Sequence, residues 1–536
     1  MRRILAAILV LASLLCGSVV MAQPYDLIIR NGRLLDGSGN PWRRADVAVQ
    51  GGRIAQVGDL QGLTARRELD VEGLYVAPGF IDVHSHAASG LASEELSEGR
   101  PLLAQGTTTV VVNPDGGGPV DLAAQREALL MHRLGLNVAL MVPHGSVRRL
   151  VLGMEDRAPR PEELERMKEL VRQGMLQGAF GLSSGLYYAP GSYAATEEVI
   201  ELARAAAAFG GIYSSHIRDE ADYNIGLVAA VDEVIRIAEE ARLPGIVSHI
   251  KALGPRVWGF SQAVVQRIER ARQRGVQVYA DQYPYQASGT GIVGALVPRW
   301  ALAGGRTALK QVLDNPQQRA RLREGVLENL DRRGGAGRLQ IRSYRADPSL
   351  KGRSLEEVAR QRSLAPADLV LQLLESGGAS LVSFNMRPED VHTLMRPDWT
   401  MTSSDGGLVS PGSGLPHPRS YGTYPRKIRR YVLEERVVSL AQAIRSMTSL
   451  PAAVFGMKDR GVLRSGAVAD LVVFDLETIR DRATYQDPHQ LSEGMVHVLV
   501  NGVLAMDGGE FTGALSGQVL RRNPAEAGAK SGNGED

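Results

Sequence analysis

Two kinds of hydrophobic pattern divide the chain. Over 25–75, and again over 461–513, short apolar and β-branched stretches stand between turn signals, as short strands do. Asp26 to Arg30 runs into Asn31-Gly32, a pair that predicts a hairpin turn. Asp46 to Gln50 runs into Gly51-Gly52, and Met495 to Val500 into Asn501-Gly502. Similar segments at opposite ends, flanking a different middle, predict one small β domain built from both termini. The middle carries eight near-continuous apolar runs, at 79–83, 108–112, 137–142, 179–182, 211–214, 244–247, 276–280 and 399–402. Helical patterns such as 197–209 and 228–242 lie between several of them. Strands apolar on both sides, alternating with helices, predict a parallel sheet covered on both faces. Eight such units predict an α/β protein: a (β/α)8 TIM-like barrel with a small β-sandwich domain from the N- and C-terminal segments. A doubly wound open sheet is the alternative. The gap at 290–395 is too long for one helix and predicts an inserted lid or subdomain.

The ends read differently. Arg2 and Arg3 precede an apolar run over 4–15, and Val20-Met21-Ala22 fits the small-residue pattern before a cleavage point. This predicts a secretory signal over 1–22 and a periplasmic or secreted mature protein, with no stable membrane insertion after cleavage. A membrane anchor is the competing reading, but the run is short of the about 20 residues a span needs. A lipoprotein reading would use Cys16, yet Leu14 and Leu15 stand where small residues are expected. The resulting scheme is a signal at 1–22, β-sandwich at 23–75, barrel at 76–455 with its insert near 290–395, β-sandwich at 456–520, and a disordered tail at 521–536, low in apolar residues.

Composition narrows the function. Lys and Arg number 61 against 59 Asp and Glu, a net charge of +2. That balance lacks the basic surplus by which proteins displace counterions from nucleic acid, so no nucleic-acid partner is expected. The single cysteine, Cys16, excludes a disulfide framework, a zinc ribbon, an iron–sulfur site and a Cys–His nucleophile.

Candidate chemistry gathers where barrel enzymes keep it, just after the C-terminal ends of the strands. Five of the ten histidines fall there: His84 and His86 after the first run, His144 after the third, His216 after the fifth and His249 after the sixth. In His84-Ser85-His86 the two imidazoles share a face, because alternate strand residues do. Neutral imidazoles suit zinc and its relatives. Asp405, after the eighth run, adds a carboxylate. His84, His86, His216, His249 and Asp405 make five such ligands, more than one tetrahedral site takes, so two adjacent metals are expected.

These residues stand within longer motifs. Ala77-Pro78-Gly79-Phe80-Ile81-Asp82-Val83-His84-Ser85-His86, Gly178-Ala179-Phe180-Gly181-Leu182-Ser183-Ser184-Gly185-Leu186-Tyr187-Tyr188 and Ser215-His216-Ile217-Arg218-Asp219-Glu220 come first. Ser248-His249-Ile250-Lys251, Tyr283-Pro284-Tyr285, Ser403-Ser404-Asp405-Gly406 and the run from Pro418 to Arg426 follow. Together, across nearly all of 25–515, they resemble the amidohydrolase superfamily, and within it the D-aminoacylase (N-acyl-D-amino-acid deacylase) family. The resemblance implies a metal-dependent barrel holding one or two zinc ions, with His84 and His86 on one metal and His216 and His249 on the other. It implies that Asp405 touches metal and is the general base, and that Lys251 and one of Tyr283 or Tyr285 bind the substrate carboxylate. The chain departs from the family at one place. Where the family has a metal-ligating cysteine in an Asn-Cys-Gly turn, this chain has Asn113-Pro114-Asp115-Gly116-Gly117-Gly118. Asp115 either replaces the thiolate, since carboxylates also ligate zinc, or serves the turn.

The implied reaction is hydrolysis of the amide bond of N-acyl, D-configured, amino acids by activated water, with Asp405 taking a proton and returning it to the leaving amine. His144 or the Ser183-Ser184 pair are candidates to assist the oxyanion, and Arg419 and Arg426 to bind anions. Asp219 and Glu220 either orient His216 or begin the next helix. Two other functions compete: hydrolysis of cyclic amides or D-dipeptides, and non-catalytic binding of metal or peptide.

Overall fold

The computed structural model describes residues 25–522. The expected signal over 1–22 lies outside the described residues, as does nearly all of the expected tail. Arg522, inside that tail, is bound to the body: its guanidinium donates to the Phe455 carbonyl at 2.9 Å.

The fold is α/β. Its centre is a set of parallel strands: β1 (Phe80–Asp82), β2 (Thr107–Val112), β3 (Asn137–Leu140, continued by Val142–Pro143), β4 (Gly181–Gly185), β5 (Ile212–His216), β6 (Gly245–Val247), β7 (Val278–Gln282) and β8 (Thr400–Thr402). All eight apolar runs became strands, displaced by at most a few residues. β1, β2 and the first half of β3 form one sheet; the second half of β3 to β8 form another, in the order of the chain. That sequential order has no switch point, which a doubly wound sheet requires. Helices such as Thr196–Ala207 and Leu227–Ala241 connect the strands.

β8 and β1 are tied beyond their ends. Gly406–Gly407 pairs in parallel with Ser85–His86. The buried Asp82 carboxylate accepts the Ser404 backbone N–H at 2.9 Å and the Ser404 hydroxyl. Strand β1 thus supplies the carboxylate that fixes the loop carrying Asp405.

The termini meet in one nine-stranded sheet. Tyr75–Pro78 pairs antiparallel with Leu471–Phe474, and apolar side chains from both segments, among them Ile29, Val47, Leu471 and Val473, share a core. Gly51-Gly52 and Asn501-Gly502 make the expected turns. Asn31-Gly32 does not. It lies inside the ten-residue strand Tyr25–Leu34, where the register shifts and Asn31 has φ 62°. The pair makes a bulge because a side chain at 32 would come within 2.6 Å of Val76.

The long gap before β8 builds its own unit. Ser288–Gly291, Leu339–Ser343 and Ser380–Ser383 form an antiparallel sheet against helices including Pro316–Arg332 and Pro366–Glu375, over a separate core. Helix Pro388–Met395 then leads back to β8.

Candidate active site

Six of the sequence-predicted residues converge at the C-terminal ends of the parallel strands. His84 and His86 follow β1, Asp115 the turn after β2, His216 ends β5, His249 follows β6 and Asp405 follows β8. His84, His86, Asp115 and Asp405 place one ligand atom each within 4.8 Å of one another, and so do Asp115, His216 and His249. Asp115 belongs to both groups. Its Oδ1 lies 3.3 Å from His84 Nε2, 3.4 Å from His249 Nε2 and 3.7 Å from His216 Nδ1; its Oδ2 lies 3.4 Å from His86 Nε2. Asp405 Oδ1 is 3.2 Å from His86 Nε2 and 3.8 Å from His84 Nε2.

The backbone is bent to make this possible. Asp115, His249 and Asp405 all have left-handed φ, at 55°, 35° and 47°. Such strain persists only where the surroundings fix it. Asp405 N donates to the His84 carbonyl at 2.9 Å, and His249 N to Asp281 Oδ1 at 2.9 Å. The turn at Asp115 is held by Ser183, whose hydroxyl donates to the Asn113 carbonyl at 2.5 Å and accepts from Gly116 N at 3.3 Å.

The electrostatics call for a cation. Burial lowers the His86 imidazole, but Asp115 and Asp405 outweigh it and raise it to about 9. For His249, burial and Lys251 are outweighed by Asp405, Glu220 and Asp115, which raise it to about 10. Against the cost of burial, His84 and its neighbours hold Asp115 well below the usual carboxylate range, and Arg419 with the histidines does the same for Asp405. Protons on these histidines balance a negative charge that a divalent ion would balance equally. His84 Nε2, His216 Nδ1 and Asp115 Oδ1 are buried with no hydrogen-bond partner, and they converge. Buried polar atoms are as a rule paired, and this converging donor set of nitrogens and oxygens fits zinc.

Beside this centre lies a cavity of about 440 Å³, lined in part by Lys251, Tyr283 and Arg419. Lys251 Nζ is buried on Glu220 and stands 2.7 Å from His249 Nδ1. Arg419 Nη1 is 2.8 Å from Asp405 Oδ2 and its guanidinium sits over the Tyr283 ring. The Tyr283 hydroxyl is buried without a partner. Tyr285 and Arg426 are not among the residues lining this cavity. Arg426 stacks over Tyr285, pairs with Asp481 at 2.9 Å and donates to the Pro284 carbonyl. Strand alternation put Tyr283 and Tyr285 on one side, but the chain leaves β7 at Gln282 and the alternation ends there.

The oxyanion candidates point elsewhere. His144 is buried against Glu198 at 3.0 Å, with Arg148 on the same carboxylate. Ser183 braces the turn, and Ser184 bonds Tyr213 at 2.7 Å and Ser215 at 2.9 Å. The adjacent acids separate. Asp219 accepts three backbone N–H groups of its own loop, from Ala221, Asn224 and Gly226. Glu220 enters the site and lies 3.0 Å from His249 Nδ1 and 3.8 Å from His216 Nε2. Sequence reasoning missed Arg333 and Arg342, which reach the cavity from the insert. No periodicity marks them, because their placement depends on how that unit docks.

Parallel strands alternating with helices, with a histidine–carboxylate cluster at their C-terminal ends and a cationic cavity beside it, define a metal-dependent hydrolase of the α/β class. The family model described as amidohydrolase matches residues 67–506. D-aminoacylase of Alcaligenes xylosoxydans xylosoxydans is 37% identical over 527 residues, covering 94% of this chain and 99% of that one. N-acyl-D-glutamate deacylase of the same organism is 35% identical over 531 residues, covering 95% and 99%. Among solved structures, N-acyl-D-glutamate deacylase from Bordetella bronchiseptica is similar, complexed with zinc and a phosphonate that mimics the tetrahedral intermediate. It has a TM-score of 0.79 and 34% identity, and the match covers 93% of this chain and 100% of that one. The chain belongs to the amidohydrolase family.

Proposed function

We propose that this protein is a zinc-dependent deacylase that hydrolyses the amide bond of N-acyl-D-amino acids, giving a carboxylate and a free amino acid. The observation that carries the proposal is the convergence of four histidines and two aspartates beside the Lys251–Tyr283–Arg419 group. The D-aminoacylase and D-glutamate deacylase relatives supply the substrate class. His84, His86, His216, His249, Asp115 and Asp405 would hold one or two zinc ions, with Asp115 facing both groups of ligands. When bound, zinc supplies Lewis acidity, bringing the pKa of water from its bulk value to about 7 and polarising the acyl carbonyl. Asp405 is ionised at neutral pH and starts as a proton acceptor; it takes the proton of the attacking water and hands it to the leaving nitrogen. Arg419 positions Asp405. Tyr283 donates its unpartnered hydroxyl to the substrate α-carboxylate, with Lys251 and Arg419 supplying charge. Glu220 offsets the Lys251 charge and orients His249.

The pairing of β8 with β1 through Ser85–His86 and Gly406–Gly407 supports reading the eight strands as a closed barrel. The shared core of the terminal sheet supports the sandwich. We place the protein in the periplasm or outside the cell, on the basic and apolar run over 1–22. Among the described residues no helix is long and apolar enough to cross a membrane. A panel of N-acetyl-D-amino acids, their L-enantiomers, cyclic imides and D-dipeptides tests the reaction. Turnover confined to cyclic imides, or none at all, refutes it. Full-length protein with an intact N-terminus in the cytosolic fraction refutes the location.

A further inference from the structure

Two of the cations that line the cavity, Arg333 and Arg342, have no carboxylate partner among the described residues. Lys251 is paired with Glu220, and Arg419 with Asp405. Arg333 donates to the Ala295 carbonyl and to the hydroxyls of Ser383 and Tyr187, so it braces the insert. Arg342, on the insert strand Leu339–Ser343, is different. Its Nε donates to the Leu415 carbonyl at 3.1 Å, which fixes the side chain, and no ion pair is found for it among the described residues. Its Nη groups reach toward Gly289. A Cβ built there would stand 3.2 Å from Arg342 Nη1 and 3.8 Å from Arg419 Nη2. Two guanidinium groups therefore approach the same side of one glycine, with the His417 ring beside them, its Cδ2 3.8 Å from that Cβ. Burial and the neighbouring Arg419 charge lower the Arg342 guanidinium to about 10. Like charges brought together in a partly buried space are stabilised when an anion binds between them, and a planar fork suits a carboxylate.

We propose that Arg342 is a specificity-determining residue that binds a second substrate carboxylate, so that the preferred substrates are N-acyl amino acids carrying two carboxylates. The second carboxylate sits either on an acidic side chain or at the far end of a dicarboxylic acyl group. The inference rests on the deacylase reading above. Glycine at 289 leaves the room, Arg419 serves the α-carboxylate, and Arg342 the added one.

The test compares kcat/KM of the zinc-loaded wild type, Arg342→Met and Arg342→Lys on N-acetyl-D-glutamate, N-acetyl-D-aspartate, N-succinyl-D-leucine and N-acetyl-D-leucine. The wild type should favour one doubly anionic class over N-acetyl-D-leucine by tenfold or more. Arg342→Met should cut that ratio by at least thirtyfold, mainly through KM, and Arg342→Lys should restore part of it. The class that loses its advantage identifies where the second carboxylate sits. Binding gives a readout apart from turnover: glutarate should raise the wild-type Tm more than butyrate does, and Arg342→Met should abolish the difference. Equal losses on all four substrates, or no preference in the wild type, overturn the inference and leave the deacylase reading standing. No hydrolysis of any of the four overturns both.

Discussion

At the residue scale, one substitution sets this chain apart from the pattern it resembles. A carboxylate stands where a thiolate is expected, and Asp115 faces all four histidines. Asp115→Ala should at least halve the zinc retained at a fixed free concentration, measured by elemental analysis, whereas Asp115→Cys should retain it. Equal zinc in the alanine variant would assign Asp115 to the turn alone. A second residue-scale prediction concerns Lys427, which is buried and, among the described residues, donates to the hydroxyls of Thr402 and Ser446 at 2.7 and 2.9 Å. Burial lowers its amine to about 7. Above that pH the folded chain has released a proton that the unfolded chain keeps until about 10.4. Stability from this group therefore rises with pH across the window, by at most about 1.4 kcal/mol per pH unit. Lys427→Met should flatten that rise in urea unfolding between pH 7 and 10, since the two hydroxyls lie 3.0 Å apart and satisfy one another. An unchanged slope would mean that Lys427 titrates normally. The convergence of His84, His86, His216, His249 and Asp405 was legible because their residue types and strand-end positions are local, while His144, also at a strand end, turned to Glu198. Tyr285 and Arg426 were not separable from Tyr283 and Arg419, because their direction depends on the path of the chain beyond β7.

Elements were more legible than side chains. Eight apolar runs gave eight strands because a strand buried on both faces leaves an uninterrupted signal. The Asn31-Gly32 pair failed because a bulge and a turn use the same left-handed residues, and the choice depends on packing that local sequence does not show, with Val76 nearest to position 32. The turn 113–118 depends on glycine for the same kind of reason. Gly116 has φ 67°, and a Cβ there would stand 2.9 Å from the backbone nitrogens of Gly145 and Gly185. Gly116→Ala forces the turn off β4 or strains it, at a cost of about 1–3 kcal/mol. The Tm should fall and zinc affinity with it, because Asp115 is the preceding residue. A variant with wild-type Tm and zinc content would show that the turn is loosely held. Arg342 illustrates the limit. The insert was expected from its length alone, and nothing in 290–395 marks which of its arginines faces the cavity.

Across the whole molecule, distant segments are joined at one centre: β1 and β8 meet through Asp82 and Ser404, the insert closes one side of the cavity, and both termini build the flanking sheet. Stereochemistry and reaction type belong to this scale, since they follow from where the histidine–aspartate cluster stands relative to the cationic side of the cavity. The most direct test measures amino-acid release from N-acetyl-D- and N-acetyl-L-amino acids by zinc-loaded wild type, chelated wild type and Asp405→Asn of equal zinc content. Release should come from the D-enantiomers only, be lost on chelation and restored by zinc, and fall in Asp405→Asn by about 10²–10⁴-fold. Near-normal turnover by zinc-loaded Asp405→Asn, or undiminished turnover after chelation, would contradict this mechanism.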